Sequence, residues 1–505
     1  MGQFLMPHID RRSLLAGSLS APFIAISSAE AAKPGDISHW QLRPTIYSDT
    51  DRWSMSERMK HHAVPGVAIG VIRQGRVDSI EGFGTRIAGK KAPIGPNTLF
   101  SVGSISKVAT ALLCLRLVSR GILDLDTDVN RWLKRWRVPA GPPGDLGAVT
   151  LRMLLSHTSG FNVHGFEDYL PGAALPTLVQ TLRGDSPAMN RPLVRTDTAG
   201  TRSRYSGGGY MIVQAVIEDV TGDPFATVAQ REIFGPLDMR RSQFAASPAD
   251  DIVNIAHAHD GKGQPAALPR GWQSFPELAA SGLWTTAEDL ARMVIAIGAS
   301  YRRSDGFLPQ DLSTEMMTTV TPGFNGLGFR LAGEGAARIF HHAGANDSYK
   351  AYIEGNLAEG DGLVILTNGT HGDVLGDEIR NAVSDALNWP GDWSVRVNPV
   401  PETAWIDDYV GQYRRRDGQA PSVTGFLDTG FSPETLEVLR SGKKLELLAR
   451  GRNRSLVPVD TSTYAMPDAY VPAATLLFRF DRSADRRVKA LRVKAGNDTM
   501  FFDRI

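Results

Sequence analysis

The sequence predicts an α+β domain whose sheet is completed by both of its ends, followed by a small all-β domain. Strand signals come early, at residues 67–72 and 76–82, which form a predicted hairpin. Helical patterns separated by Gly- and Pro-rich loops occupy residues 122–293, and strand signals return at 350–353 and 363–366. Because early and late strands enclose a helical middle, we expect one sheet with a helical insertion between its halves.

The first segment, residues 1–32, has the pattern of an export signal. Arg11-Arg12 precedes a short apolar stretch and small residues that end at Ala31 and Ala32. This combination is typical of a bacterial twin-arginine signal, so we expect cleavage after Ala31 or Ala32 and a periplasmic or secreted protein. An uncleaved anchor is the alternative, although the apolar stretch is short for a membrane span.

Changes in composition along the 505-residue chain divide the part after the export signal into three further segments. We expect a main domain at 45–390, a Pro-rich linker at 391–402 and a second domain at 403–505. The last segment contains several short strand-like runs separated by turn residues, which favours a small barrel or sandwich. Its predicted first strand is 408–413, and Ser441-Gly442 is predicted to be a hairpin turn.

Charge and cysteine content exclude several classes of function. The formal net charge is +1 and no long basic tract occurs, so neither nucleic acid nor an anionic membrane is an expected partner. The single cysteine, Cys114, cannot form an intramolecular disulfide and lies in an apolar run, so we expect a buried, unreactive thiol. His257 and His259 resemble a metal site, but no further ligand cluster supports one. We therefore expect no metal and no cofactor.

The tetrad Ser104-Ile105-Ser106-Lys107 carries the first signal of chemistry. It stands where a polar turn meets an apolar helix predicted over 108–118. A helix starting there places Ser104 and Lys107 on one face, with Ser104 near the positive helix end. A serine hydroxyl becomes a nucleophile when a neighbouring base takes its proton, and a partly desolvated lysine can be that base.

Two further motifs follow in order. Tyr205-Ser206-Gly207 stands before an apolar helix, and His342-Ala343-Gly344 precedes a strand. This order, S-x-x-K first, resembles the class C β-lactamase and D,D-peptidase (penicillin-binding protein-like) family, which also contains D-aminopeptidases and carboxylesterases. Additional stretches resemble family landmarks: 65–69, 154–160, 236–239 and 366–368. The resemblance covers roughly residues 45–390.

The resemblance implies a β-lactamase/transpeptidase-like sheet with a helical insertion, and a lipocalin-like C-terminal barrel of the kind appended to some relatives. It also implies an acyl-enzyme on Ser104, with Lys107 and Tyr205 sharing the proton transfers. Which of these two is the base stays open. An oxyanion hole is implied at the backbone N–H groups of Ser104 and Ala345, with His342 and Gly344 in the substrate-facing motif.

Two departures from the β-lactamase pattern bear on the substrate. Gly207 stands where the family often has Asn, whose amide binds an acylamino group. His342 stands where Lys often supplies a fixed positive charge, and histidine is mostly neutral at pH 7. We therefore expect an exported esterase or D-aminopeptidase-like hydrolase acting on a small molecule or short peptide. The alternatives are a β-lactamase, a D-Ala-D-Ala carboxypeptidase or a non-catalytic penicillin-binding sensor, and the oligomeric state is left open.

Overall fold

The computed structural model describes the ranges 37–145, 147–323, 325–391, 394–397, 406–416, 434–449, 452–466, 476–495 and 498–505. The expected export signal, 1–32, lies outside the described residues. No helix among the described ranges is long and apolar enough to cross a membrane.

The main sheet has six antiparallel strands in the order β3-β2-β10-β9-β8-β7. The strands of the first 397 residues are β1 (Ile46–Tyr47), β2 (Gly66–Arg73), β3 (Arg76–Gly84), β4 (Phe100–Ser101), β5 (Gln243–Phe244), β6 (Leu283–Thr285), β7 (Arg330–Ala332), β8 (Ile339–Ala345), β9 (Lys350–Asn356), β10 (Gly362–Thr367) and β11 (Val395–Arg396). Because β2 from the early hairpin pairs with β10 from the late strands, both ends of the domain complete one sheet, as predicted.

Three short strands, β4, β5 and β6, form a small sheet in the helical region, and β1 pairs with β11. The helices are α1 (Met55–His61), α2 (Ser106–Ser119), α3 (Leu151–Leu155), α4 (Leu178–Arg183), α5 (Gly207–Thr221), α6 (Phe225–Ala229), α7 (Leu278–Ser281), α8 (Ala287–Arg302), α9 (Gln310–Met316), α10 (Gly372–Leu387) and α11 (Ile406–Tyr409). Most lie between β3 and β7, which confirms the predicted helical insertion.

Both faces of the sheet are covered by helices, which explains why β2 is apolar almost throughout. On one face, Ala68 and Ile72 join a core that includes residues of α2 and α8. On the other face, Val67 and Ile69 join a core with Leu375 of α10 and residues of α1. Helix α2 is buried nearly all round, so its sequence is apolar without a polar stripe.

The C-terminal segment is a closed eight-stranded barrel. Its strands are β12 (Gly411–Arg415), β13 (Thr435–Ser441), β14 (Lys444–Ala449), β15 (Arg452–Pro458), β16 (Thr463–Met466), β17 (Leu476–Arg482), β18 (Val488–Ala495) and β19 (Asp498–Arg504). The all-β barrel and the hairpin around Gly442 are confirmed.

The predicted first barrel strand, 408–413, is wrong in its first half, because Asp408 and Tyr409 belong to α11. The Tyr409 ring is buried and stacks on Phe480 at 4.3 Å, and its hydroxyl donates to the Thr461 carbonyl. These contacts with distant strands, rather than the local pattern, determine the conformation of this segment.

Candidate active site

Ser104 lies in a single 3-10 turn, Gly103–Ile105, immediately before α2. The hydroxyl of Ser106 fixes this turn, because it donates to the Gly103 carbonyl at 2.6 Å and accepts from the Leu283 N–H at 2.9 Å. Ser104 itself is half-buried and lines a pocket. The expected position at the start of the helix is therefore found, one 3-10 turn ahead of the α-helix.

Lys107 is buried and points at Ser104. Its side chain is 2% exposed, and its Nζ donates to Ser104 Oγ at 3.0 Å and to the Ala280 carbonyl at 2.9 Å. The carbonyl belongs to α7, so a separate helix holds the Lys107 amine against the serine. The three-residue spacing read from the sequence thus becomes a direct nucleophile–amine contact.

Tyr205 lies beside this pair, just before α5. The Lys107 Nζ is 5.0 Å from the centroid of the Tyr205 ring. Three histidine rings surround the tyrosine: His157 at 4.3 Å, His164 at 4.9 Å and His342 at 6.3 Å between centroids. Tyr205 therefore lies within a cluster of aromatic rings next to the Lys107 amine.

His342 is buried in β8 and is held neutral. Its Nδ1 donates to the Ala343 carbonyl at 2.7 Å. Burial lowers the pKa of His342 to about 3, and the charges of Lys107 and Arg330 act in the same direction. The imidazole is therefore uncharged at neutral pH, in agreement with the expectation that it does not replace a lysine charge.

Two glycines let the end of β8 contact the turn that carries Ser104. A Cβ on Gly344 would lie 1.9 Å from the Val102 carbonyl oxygen, and a Cβ on Gly103 would lie 2.7 Å from the Ala345 nitrogen. Gly103 also has φ +49°, which disfavours other residues. Ala345 therefore lies against the residue that precedes Ser104, where the family resemblance places the oxyanion donors.

All six residues proposed from the sequence line one pocket of about 390 Å³: Ser104, Lys107, Tyr205, His342, Gly344 and Ala345. The same pocket is lined by His164, Phe166 and Arg330, and it extends to Asp373 and Asp377 of α10. The pocket thus contains three Lys or Arg side chains, Lys107, Arg330 and Lys350, and two carboxyl groups, and burial raises the pKa of one of these, Asp377, to about 7.

Sequence reasoning missed the parts played by His157, His164 and Arg330. His157 lies in the stretch 154–160 that resembles a family landmark, but nothing in that stretch indicates a contact with Tyr205. No local signal distinguishes His164 or Arg330, because their places depend on where a loop and a short edge strand fold back over the serine.

Most of the other candidate residues lie elsewhere or are inert. Cys114 is buried, and burial raises its thiol pKa to about 12. His259 is a structural residue whose Nε2 accepts from the Ala88 N–H while its Nδ1 donates to the Asn368 carbonyl. Within the described ranges no group of three or more His, Cys, Asp or Glu side chains could hold a metal ion. His341, the neighbour of His342 in β8, also lines the pocket, and its ring lies 6.1 Å from the ring of Tyr352 between centroids.

Comparisons with known proteins agree with this geometry. The family model described as "Beta-lactamase" matches residues 54–387. The chain is 29% identical over 313 residues to esterase EstB of Burkholderia gladioli, covering 54% of this chain and 76% of EstB. It is 28% identical over 236 residues to a beta-lactamase of Lysobacter lactamgenus, covering 47% of this chain and 56% of that protein.

Among solved structures, the octameric penicillin-binding protein homologue from Pyrococcus abyssi superposes with a TM-score of 0.55 at 21% identity. That match covers 88% of this chain and 98% of the homologue, and it supports the fold alone. Sequence motifs, fold and family model agree, and the chain is a serine hydrolase that belongs to the beta-lactamase family.

Proposed function

We propose that this protein hydrolyses carboxylic esters, or amides in the manner of a D-aminopeptidase, through an acyl-enzyme on Ser104. The observation that carries the proposal is the contact between Lys107 Nζ and Ser104 Oγ at 3.0 Å, inside a pocket. Because the lysine is buried and aimed at the hydroxyl, proton removal and attack use groups that are already in place.

The reaction follows from these positions. Ser104 Oγ attacks the carbonyl carbon while its proton passes to Lys107 or to Tyr205. The tetrahedral oxyanion is stabilised by backbone N–H groups, for which Ser104 and Ala345 are the candidates. Collapse expels the alcohol or amine, which takes up the proton, and water then attacks the acyl-enzyme to release the acid.

Two features of the pocket support a preference for simple esters. A Cβ on Gly207 would lie 3.0 Å from the Phe166 ring and 3.1 Å from the His164 carbonyl oxygen. Phe166 thus occupies the place where a longer side chain at 207 would begin, and no amide is offered there to an acylamino group. His342 is neutral, so the third motif contributes no fixed charge for a carboxylate.

The proposal is tested by labelling and turnover. A fluorophosphonate probe is expected to label Ser104 in the wild type and to leave Ser104→Ala unlabelled, with both proteins folded by circular dichroism. The wild type is expected to hydrolyse p-nitrophenyl butyrate with a higher kcat/KM than nitrocefin. Labelling on another serine overturns the assignment. Acylation by a penicillin without turnover of any ester or D-aminoacyl amide supports the sensor instead.

We also propose export to the periplasm or medium, supported by Arg11-Arg12 and the Ala31-Ala32 site. Cell fractionation of the full chain against a chain with both arginines changed to lysine tests this. Equal amounts of the two proteins outside the cytoplasm contradict a twin-arginine route.

A further inference from the structure

His157 holds the segment that carries Tyr205 from both sides. The Arg204 N–H donates to the His157 carbonyl at 2.8 Å, and the Ser206 N–H donates to His157 Nδ1 at 3.1 Å. The ring of His157 packs on the ring of Tyr205 at 4.3 Å with an angle of 35° between planes. One residue therefore fixes the backbone before Tyr205, the backbone after it, and one face of its ring.

The backbone of His157 is itself in an unusual conformation. Its φ is +64° and the residue is 3% exposed, just beyond the end of α3. A positive φ is uncommon outside glycine and costs free energy unless the surroundings enforce it. Here the conformation directs the carbonyl and the imidazole of one residue toward the same neighbouring segment.

We propose that His157 is a positioning residue that sets where the Tyr205 hydroxyl lies relative to Ser104 and Lys107. The inference rests on the proposed acyl-transfer function and assigns no direct contact between His157 and the substrate. The position of the Tyr205 hydroxyl is set by the backbone of residue 205 and by the orientation of its ring, so fixing both limits where the hydroxyl can lie.

Only the neutral form of His157 with its proton on Nε2 can accept the Ser206 N–H at Nδ1. Nδ1 accepts the Ser206 N–H, so a protonated imidazole would place two donors against each other. Burial lowers the pKa of His157 well below its usual range, and the nearby groups that add to this effect are Lys107, His342, Arg330 and His164. The acceptor is thus retained throughout the neutral pH range.

His259 offers a matched control, because it is another fully buried loop histidine that accepts a backbone N–H at 3.0 Å. It does not line the pocket around Ser104. Changing either histidine to phenylalanine keeps a ring and removes the acceptor, and in His259 it also removes the donor to the Asn368 carbonyl. A purely structural role for both residues therefore predicts losses of Tm and of activity at least as large in the His259 variant.

The experiment measures kcat and KM for p-nitrophenyl butyrate, Tm, and the rate of fluorophosphonate labelling. For His157→Phe we expect kcat and labelling rate to fall together, by about tenfold to a hundredfold, because an error of about 1 Å in placing a reacting group can cost that much. KM should change little. His259→Phe should lose Tm while keeping the wild-type kcat.

If His157→Phe does not fold, His157→Asn replaces it in the same measurements. Asparagine tolerates a positive φ and offers an amide oxygen to Ser206, but it lacks the ring contact, so kcat should be intermediate. A wild-type kcat in folded His157→Phe or in folded His157→Asn overturns the proposal. So does a kcat loss in His259→Phe that equals the loss in His157→Phe. Failure of the proposed function is distinguished by the wild type itself, which would then show no Ser104 labelling.

Discussion

The close contact between β8 and the nucleophile turn makes Gly344→Ala the sharpest test of the site geometry. The new Cβ would lie 1.9 Å from the Val102 carbonyl oxygen and 3.2 Å from the Ile105 nitrogen, whereas ordinary contact begins near 3.4 Å. The two backbones must therefore separate by about 1.5 Å, since both contacts are to main-chain atoms that cannot rotate away.

This separation acts on the atoms that stabilise the oxyanion. It moves Ala345 away from the turn that contains Ser104, and the loss of one oxyanion donor typically costs about a hundredfold to a thousandfold in rate, or roughly 3–4 kcal/mol. We expect kcat/KM for p-nitrophenyl butyrate to fall by about a hundredfold or more. Overpacking of this kind costs about 1–3 kcal/mol of folding free energy, so Tm should fall by only a few degrees.

Gly95→Ala is the matched control, because a Cβ at Gly95 meets nothing within 4 Å and its φ is not positive. It should leave kcat/KM and Tm near the wild-type values. The assay is run on proteins shown to be folded by circular dichroism. A Gly344→Ala enzyme that keeps kcat/KM within threefold of the wild type would refute the argument that this contact sets the oxyanion geometry.

Three other outcomes are expected. The Cys114 thiol, whose pKa is about 12, should react with 5,5′-dithiobis(2-nitrobenzoate) only at the rate of unfolding, and fast labelling of the native protein would contradict its burial. A chain ending at Val397 should stay folded and melt cooperatively, because none of the described barrel residues belongs to the two cores around the sheet and β11 is retained. Burial raises the pKa of Glu277 to about 8, so the folded state keeps a proton that the unfolded chain releases above about pH 4.5. This contribution to stability is present at low pH and lost as pH rises toward 8, by about 1.4 kcal/mol per pH unit. In urea denaturation, the free energy of unfolding of Glu277→Gln should therefore rise relative to that of the wild type from pH 5 to pH 8. A difference between the two proteins that stays constant with pH would exclude a protonated Glu277.

The features that the sequence predicts well depend on residues that are close together in the chain. The serine and lysine are three residues apart, so one turn of helix brings them together, and β2 and β3 are joined by a tight turn. The motif order then locates Tyr205 and His342, although only the fold shows that their rings approach to 6.3 Å.

The features that it misses depend on distant contacts. His157 reaches Ser206 across 49 positions, and nothing in the loop itself indicates which N–H its ring accepts. Strand β15 begins Arg452-Asn-Arg, a polar run that lacks the apolar alternation expected of a strand. Tyr409 becomes helical because its ring packs on Phe480 across the barrel.

The charges of the pocket bear on the choice between simple esters and D-aminoacyl compounds, the two substrate classes that the sequence leaves open. Arg330 lines this pocket, and burial together with the charge of Arg330 lowers the pKa of His164 and of His342, so both rings stay neutral.

An α-ammonium group next to the scissile carbonyl would be repelled by the guanidinium of Arg330. Two unit charges about 6 Å apart repel by roughly 3 kcal/mol at an effective dielectric constant near 20, which is about a hundredfold in affinity. We therefore expect p-nitrophenyl propionate to be hydrolysed with a higher kcat/KM than the p-nitrophenyl ester of D-alanine, which differs by that group alone. Because a free α-amine has a pKa near 8, the difference in kcat/KM between the two esters should narrow as pH rises. Arg330→Gln should narrow the same difference at pH 7. A D-alanine ester that matches or exceeds the propionate at pH 7 would refute this reasoning. It would indicate that the pocket accepts an α-amine, with Asp373 as the candidate partner, and would favour the D-aminopeptidase-like alternative.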